Sequence, residues 1–247
     1  MGRIKLSDID TRSPKDINKE EIKKITAEIV EKIGKLQDVL YASHKRSLLV
    51  IIQGMDASGK DGAIRDVFAG VNPMGIRVIS FKKPTTEELD HDFLWRIHKN
   101  VPPKGMMHVF NRSHYEDVLI VRVHKWVDEK TIQKRFDFIN SFEELLQERG
   151  TAILKFYLHI SQKEQQKRFI ERQTTPNKMW KFNQQDLEEA KYWPEYIKCY
   201  EEVFEKCNFI PWNIVPSDHN FYKEYLIAKK VLKTLEEMNL SYPPPNF

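Results

Sequence analysis

The sequence predicts an α/β fold in which a parallel sheet is covered by helices on both faces. Three observations predict it. Apolar runs of strand length alternate along the 247 residues with longer segments of helical periodicity. The runs are apolar at consecutive rather than alternate positions, as in "SLLVII" (47–52) and "TAILKFYLHI" (151–160), which fits strands buried on both faces. Between the first run and the helix after it stands "GMDASGK", with Gly54, Gly59 and Lys60 in the G-x-x-x-x-G-K spacing of a phosphate-cradling loop.

The elements follow in order. Residues 19–43 read as a helix, because Ile22, Ile25, Ile29, Ile33, Leu36 and Leu40 recur three and four apart on one face. After the first strand and the loop, a helix is expected from about Gly59 to Ala69, then a strand over 75–81. "TTEELDHDFLWRIHKNV" (85–101) reads as one helix opened by a Thr cap with Glu88 three residues on. "MMHVF" (106–110) is a third strand that delivers the chain to "NRSHYEDVLIVRV", whose second half reads as the start of a helix. A helix over 131–150 ends at Gly150, and the fourth strand follows at once. Residues 161–207 are charged and helical with few aliphatics. A fifth strand is expected over 209–216, a last amphipathic helix over 220–238, and the chain finishes in "YPPPNF". The whole reads as one domain over 1–247, with an N-terminal helical extension to about residue 45 and an insertion over about 161–207.

Composition narrows the function classes. Hydrophobic residues are 40% and charged residues 31%, and no apolar run is long enough to span a bilayer. The N-terminus lacks the apolar core of a signal peptide, and Met1-Gly2 is followed by Leu6 where a myristoylation signal needs Ser or Thr. A cytoplasmic protein with neither leader nor lipid anchor is expected. Cys199 and Cys207 fall eight apart in what reads as one helix, about 12 Å of rise, too far to bridge. The eight histidines are dispersed, which argues against a transition-metal site. A net charge of +4 decides nothing about partners by itself.

The loop carries two carboxylates, Asp56 within it and Asp61 where the common form has Ser or Thr. Carboxylates beside phosphates repel them unless a divalent cation lies between, so the pair points to magnesium. Ligands of open α/β sheets bind beyond the carboxyl ends of the strands, which directs Asn111, Arg112 and the residues after them toward the loop. Asp117 then stands one to two helical turns from Arg112, either as a second magnesium carboxylate or as an ordinary helix-start charge. Lys167, Arg168, Arg172, Lys178 and Lys181 make the 161–207 insertion basic, and "TTPNK" interrupts it as a hinge does. It reads as a lid over phosphates or as a solvated helical hairpin.

Taken together, "GMDASGKDG", "GVNPMGIRVISFKKPT", "DFLWRIHKNVPPKG", "FNRSHYEDVLIVRV" and "PNKMWKF" resemble the polyphosphate kinase 2 family over roughly residues 35–243. With Glu116 and Asp117 in "NRSHYEDVL", the chain is similar to the subgroup acting on both nucleoside mono- and diphosphates. The resemblance implies a P-loop kinase core with a helical lid, and inorganic polyphosphate as phosphoryl donor to AMP and ADP, with ATP as product and magnesium as cofactor. It implies that Asp56 and Asp117 hold magnesium and that Lys60 and Arg112 grip the transferring phosphate. The phosphate site would comprise Gly54, Ala57, Ser58, Gly59, Asp61 and Gly62 of the loop, with Arg122, Arg168, Arg172, Lys178 and Lys181 along the anion track. The acceptor nucleotide would lie near Phe81, Lys82, Pro84, Thr85, Asn111 and Glu116. A homo-oligomer, dimer or tetramer, is expected, with neither nucleic acid nor membrane as partner. Two rival readings remain: an ATP-dependent nucleoside monophosphate kinase, and a non-catalytic anion- or nucleic-acid-binding module. The second is disfavoured because aromatic residues do not interleave with a basic stripe.

Overall fold

The computed structural model describes residues 4–245, so the Met1-Gly2 pair and the last two residues of the Pro-rich tail lie outside the described residues. A five-stranded sheet has β1 (Ser47–Gln53) at its centre, with β2 (Ile76–Ser80), β3 (Met107–Asn111), β4 (Thr151–His159) and β5 (Trp212–Pro216) in the order β2-β3-β1-β4-β5. Every pairing is parallel. All seven residues of β1 are buried. Its side chains alternate between two cores: Leu48, Val50 and Ile52 on one face, Leu49 and Ile51 on the other.

The first face is covered by α1 (Lys19–Ser43), α2 (Lys60–Val67) and α10 (Asn220–Glu237) through Ile33, Leu40, Ile64, Val67, Ile227 and Val231. The second is covered by α6 (Glu129–Glu148) and α9 (Trp193–Lys206) through Ile139, Phe142, Tyr200, Val203 and Phe204. α1 and α10 sit where their amphipathic periodicity puts them. The chain visits β2 before returning to β3, which inserts between β2 and β1. The register Ile52↔Asn111, with the Arg112 N–H donating to the Ile52 carbonyl at 3.0 Å, sets the exit of β3 directly beside the loop after β1.

Several expectations are corrected. The single helix over 85–101 is two short ones, α3 (Thr86–Leu89) and α4 (Trp95–His98). The Thr85–Glu88 capping box forms as expected, but the Asp92 carboxylate accepts from the Leu94 N–H at 2.9 Å and competes with helical bonding between them. "YEDVLIVRV" is a 3-10 turn, His114–Val118, followed by the one-turn α5 (Ile120–Val123). Its run of β-branched residues makes a poor helix. The fifth strand begins at Trp212 rather than 209, since Pro211 cannot donate to a ladder. Within 161–207, α7 (Gln162–Thr174) and a 3-10 stretch at Pro176–Lys181 bond to the loop after β1 and the start of α2 through Gln165, Arg168 and Lys181, and α8 (Gln184–Glu189) follows, whereas α9 belongs to the core and uses aromatics in place of aliphatics. Cys199 and Cys207 are buried and unbridged.

Candidate active site

The loop between β1 and α2 turns through three residues with positive φ: Gly54 at 152°, Ala57 at 60° and Gly59 at 93°. Gly59 is doubly constrained, because a Cβ there would come within 2.5 Å of the Lys223 ammonium. Two cations brace the loop from outside. Lys223, fully buried, donates to the Gly59 carbonyl at 3.1 Å, and Arg168 donates to the Ala57 carbonyl at 2.9 Å and to the Ser217 carbonyl at 2.8 Å. Gly62 differs, since a Cβ there would meet nothing within 4 Å.

Lys60 is buried at the start of α2, its ammonium donating to the carbonyls of Gly54 at 2.7 Å and Met55 at 3.1 Å. Burial, and then the neighbouring Arg112, bring its pKa down to about 8. The sign follows directly. The free protein holds the cation below about pH 8 and loses it above. We expect kcat/KM for a phosphorylated donor to fall as pH rises through about 8, which initial rates across pH 6.5–9.5 check; a flat profile would contradict it.

Arg112 leaves β3 in the left-handed region, φ 63°, and its guanidinium pairs with the Asp56 carboxylate across the loop. Burial disfavours its charge, but Glu116 and Asp56 outweigh that and hold its pKa above the ordinary value. The Asp56 carbonyl accepts from the Gln165 amide at 2.9 Å. Asp117 is buried in the turn after β3. Its carboxylate lies 3.4 Å from Arg96 and 3.8 Å from Arg135, and Arg135 also donates to its backbone carbonyl at 2.7 Å. Burial raises the Asp117 pKa against the pull of both arginines. The turn itself rests on a buried network. Lys155 donates to the Tyr115 hydroxyl at 2.8 Å and to Glu143 at 2.7 Å, and neither Lys155 nor Glu143 reaches solvent.

Asp56, Arg112 and Asp117 open onto one cavity of about 790 Å³. Gly54, Asp56, Phe81, Lys82, Pro84, Arg112, Glu116 and Asp117 line it, so the structure brings together three of the four residues expected to be catalytic, while Lys60 lies buried beneath the loop and is not among the lining residues. Others are placed elsewhere. Asp61 accepts from Asn111 at 2.8 Å and from Lys181 at 3.3 Å, which ties the loop helix to β3 and to the lid. Burial opposes its ionisation, but these two donors outweigh it and hold its carboxyl below the usual range. Thr85 spends its side chain on the cap of α3. Arg122 is engaged by Glu129 and Glu202, each at 2.7 Å, and is not among the cavity-lining residues. Arg172 pairs with Asp186 at 2.9 Å, and Lys178 with Glu171 at 2.7 Å. Ser58 is wholly buried, and its hydroxyl has no hydrogen-bond partner.

Sequence reasoning missed Arg96, Arg135, Gln165 and Lys223. Arg96 was within a quoted motif, and its place on an apolar helix turn was the available signal. Lys223 lies on the α10 face that otherwise packs on the core, where a lysine is unusual.

The family model described as Polyphosphate kinase 2 (PPK2) matches residues 16–243. The chain is 44% identical to the AMP/ADP-polyphosphate phosphotransferase of Meiothermus ruber, over 99% of this chain and 93% of that protein. It is 41% identical to the ADP-polyphosphate phosphotransferase of Rhodopseudomonas palustris, over 92% of this chain and 83% of that protein. The crystal structure of polyphosphate kinase 2 from Arthrobacter aurescens TC1 is similar with a TM-score of 0.96 at 39% identity, covering 99% of this chain and 89% of that one.

Proposed function

The chain belongs to the polyphosphate kinase 2 family, and from that premise we propose that it transfers the terminal phosphoryl group of inorganic polyphosphate to AMP and to ADP, giving ADP and ATP, reversibly and with magnesium. The observation that carries the reading is the Arg112–Asp56 pair, which sets the exit of β3 against the phosphate loop beside Lys60. Charge of both signs is gathered there around a cavity wide enough for a nucleotide.

Phosphoryl transfer needs positioning and charge neutralisation more than a protein nucleophile. An oxygen of the acceptor's terminal phosphate attacks the end phosphorus of polyphosphate; the bridging P–O bond breaks, and the donor leaves one unit shorter. Lys60 turns its ammonium from the loop carbonyls to the transferring group. Arg112 exchanges the Asp56 carboxylate for phosphate oxygens. Arg96 and Arg135 hold the Asp117 carboxylate at the cavity wall. Magnesium takes one or two carboxylates together with phosphate oxygens, and Asp56 and Asp117 on one cavity fit that donor set. Bound there it would neutralise charge developing on the phosphate oxygens. Arg168 braces the loop and Arg172, Lys178 and Lys181 serve the lid side of the polyphosphate path, each leaving a carboxylate partner to do so.

The test combines purified protein, magnesium and AMP or ADP with either polyphosphate or another nucleoside triphosphate, followed by chromatography of the nucleotides. Brisk triphosphate-dependent phosphorylation with polyphosphate inert would leave an ordinary nucleotide kinase.

Among the described residues no helix is long and apolar enough to cross a membrane. We place the protein in the cytoplasm as a homo-oligomer, a dimer or tetramer, without nucleic acid or membrane as partner. Exposed Met74 and Val78, at and beside the open edge strand β2, are apolar surface that assembly would cover. A solution mass equal to one chain by light scattering would rule the assembly out.

A further inference from the structure

The cavity has an apolar end that the phosphate chemistry does not use. Ile120, Val121, Trp126 and Val127, from the segment after the Asp117 turn, line it, as does Leu89 of α3. Trp126 is 65% exposed, although it is a large apolar side chain on a ligand-sized cavity. The backbone presents it there deliberately. Lys125, a non-glycine residue, takes φ 56°, and the Trp126 N–H donates to the Val121 carbonyl at 2.8 Å.

The indole is backed on one side by the His124 ring, stacked at 5.0 Å with 18° between planes. His124 is itself fixed by the lid. Its Nε2 lies 2.9 and 3.0 Å from the two carboxylate oxygens of Glu189 on α8, and the Tyr196 hydroxyl of α9 donates to the same carboxylate at 2.8 Å. Phe81, the aromatic expected to meet the base, is placed differently. It is 7% exposed, its ring packs edge-on against Phe110 at 4.9 Å, and the Arg96 guanidinium lies 5.6 Å from its centroid. Trp126 therefore offers the open aromatic surface, and Phe81 does not.

We propose that Trp126 is the stacking platform for the base of the acceptor nucleotide. The proposal rests on the reading of the acceptor as a nucleotide and names the part of the cavity that takes its base. The platform recognises a flat π-face and not a hydrogen-bonding edge, so the ligand class is purine nucleotides in general, with the smaller pyrimidines held less well. Its support comes through His124 from Glu189 on α8, part of the insertion that carries Arg172 and Lys181, and from Tyr196 on the core helix α9.

The test uses the full chain and two variants, Trp126→Ala and Trp126→Phe, with AMP as probe. Exposure at this position leaves the fold intact in both, which circular dichroism confirms. Removing a stacking aromatic weakens binding of a base by roughly tenfold to a hundredfold. Trp126→Ala is expected to raise KM for AMP by about that factor, leave KM for polyphosphate unchanged, and be largely restored in Trp126→Phe, while the parent accepts GMP within several-fold of AMP. Equilibrium dialysis with labelled AMP and no donor should show the same loss, and this arm reports on stacking even if polyphosphate proves not to be the donor. An unchanged AMP affinity in Trp126→Ala, an equal loss for AMP and polyphosphate, or a change of solution mass that marks Trp126 as a subunit contact would overturn the proposal.

Discussion

Lys60→Ala and Asp56→Asn are each expected to lower turnover about a hundredfold or more, with the fold retained. Removing one preorganised group that stabilises developing charge costs on the order of a hundredfold to a thousandfold. Lys60 is buried at the start of α2 with its ammonium against the Gly54 and Met55 carbonyls, and Asp56 is a carboxylate acting on it from within the same loop. The two losses differ in character. Without Lys60 the loop has a cavity where a cation stood, so donor binding weakens along with turnover. Asn at position 56 keeps the shape but leaves Arg112 without its charged partner; if Asp56 is the magnesium ligand proposed, the metal concentration for half-maximal rate should also rise. Steady-state rates with magnesium titrated at fixed polyphosphate separate these effects. Near-parental turnover in either variant, with an unchanged circular dichroism spectrum, would remove that residue from its assigned role.

The second large effect concerns donor and metal together. Polyphosphate with magnesium is expected to carry AMP to ADP and ADP on to ATP in one mixture, whereas AMP with another nucleoside triphosphate and no polyphosphate reacts far more slowly. A chelator in excess over magnesium should stop both steps, because Asp56 and Asp117 would then face the phosphates with no cation between them. The two steps should stop together if, as proposed, one cavity serves both. Persistence of either step in the chelator would show that the carboxylates are not metal ligands, and persistence of only one would show that the two acceptors do not share a site.

Much of the fold was legible because burial on both faces leaves a mark that needs no tertiary knowledge. Continuous apolar runs marked β1 and β4, and the three-and-four spacing of isoleucines and leucines marked α1 to its last residue. The loop was legible for the same reason, since its glycines are demanded by local backbone geometry. What escaped was decided by contacts distant in sequence. Nothing near Asp92 announces that its side chain will interrupt a helix, and nothing near Arg122 announces that Glu202 will claim it. The aromatic end of the cavity was invisible because a left-handed Lys125 is fixed by the fold around it and has no composition signal. The question of why a phosphate loop carries two carboxylates has two different answers. Asp56 faces the cavity, while Asp61 joins β3 and the lid to the loop helix.

Arg112, Lys181, Arg172 and Lys178 are each claimed by an acid of the same chain: Asp56, Asp61, Asp186 and Glu171. Such an acid is an anion on a short tether, present at an effective concentration of millimolar order wherever its partner is. A single free anion at cellular abundance has to compete with it and gains little by winning. A polymer of phosphates does better, because after the first displacement the next unit is itself tethered and arrives at a comparable effective concentration. If polyphosphate takes the proposed path, internal competition of this kind would set a threshold on valency: isolated charges would be ignored and connected ones answered.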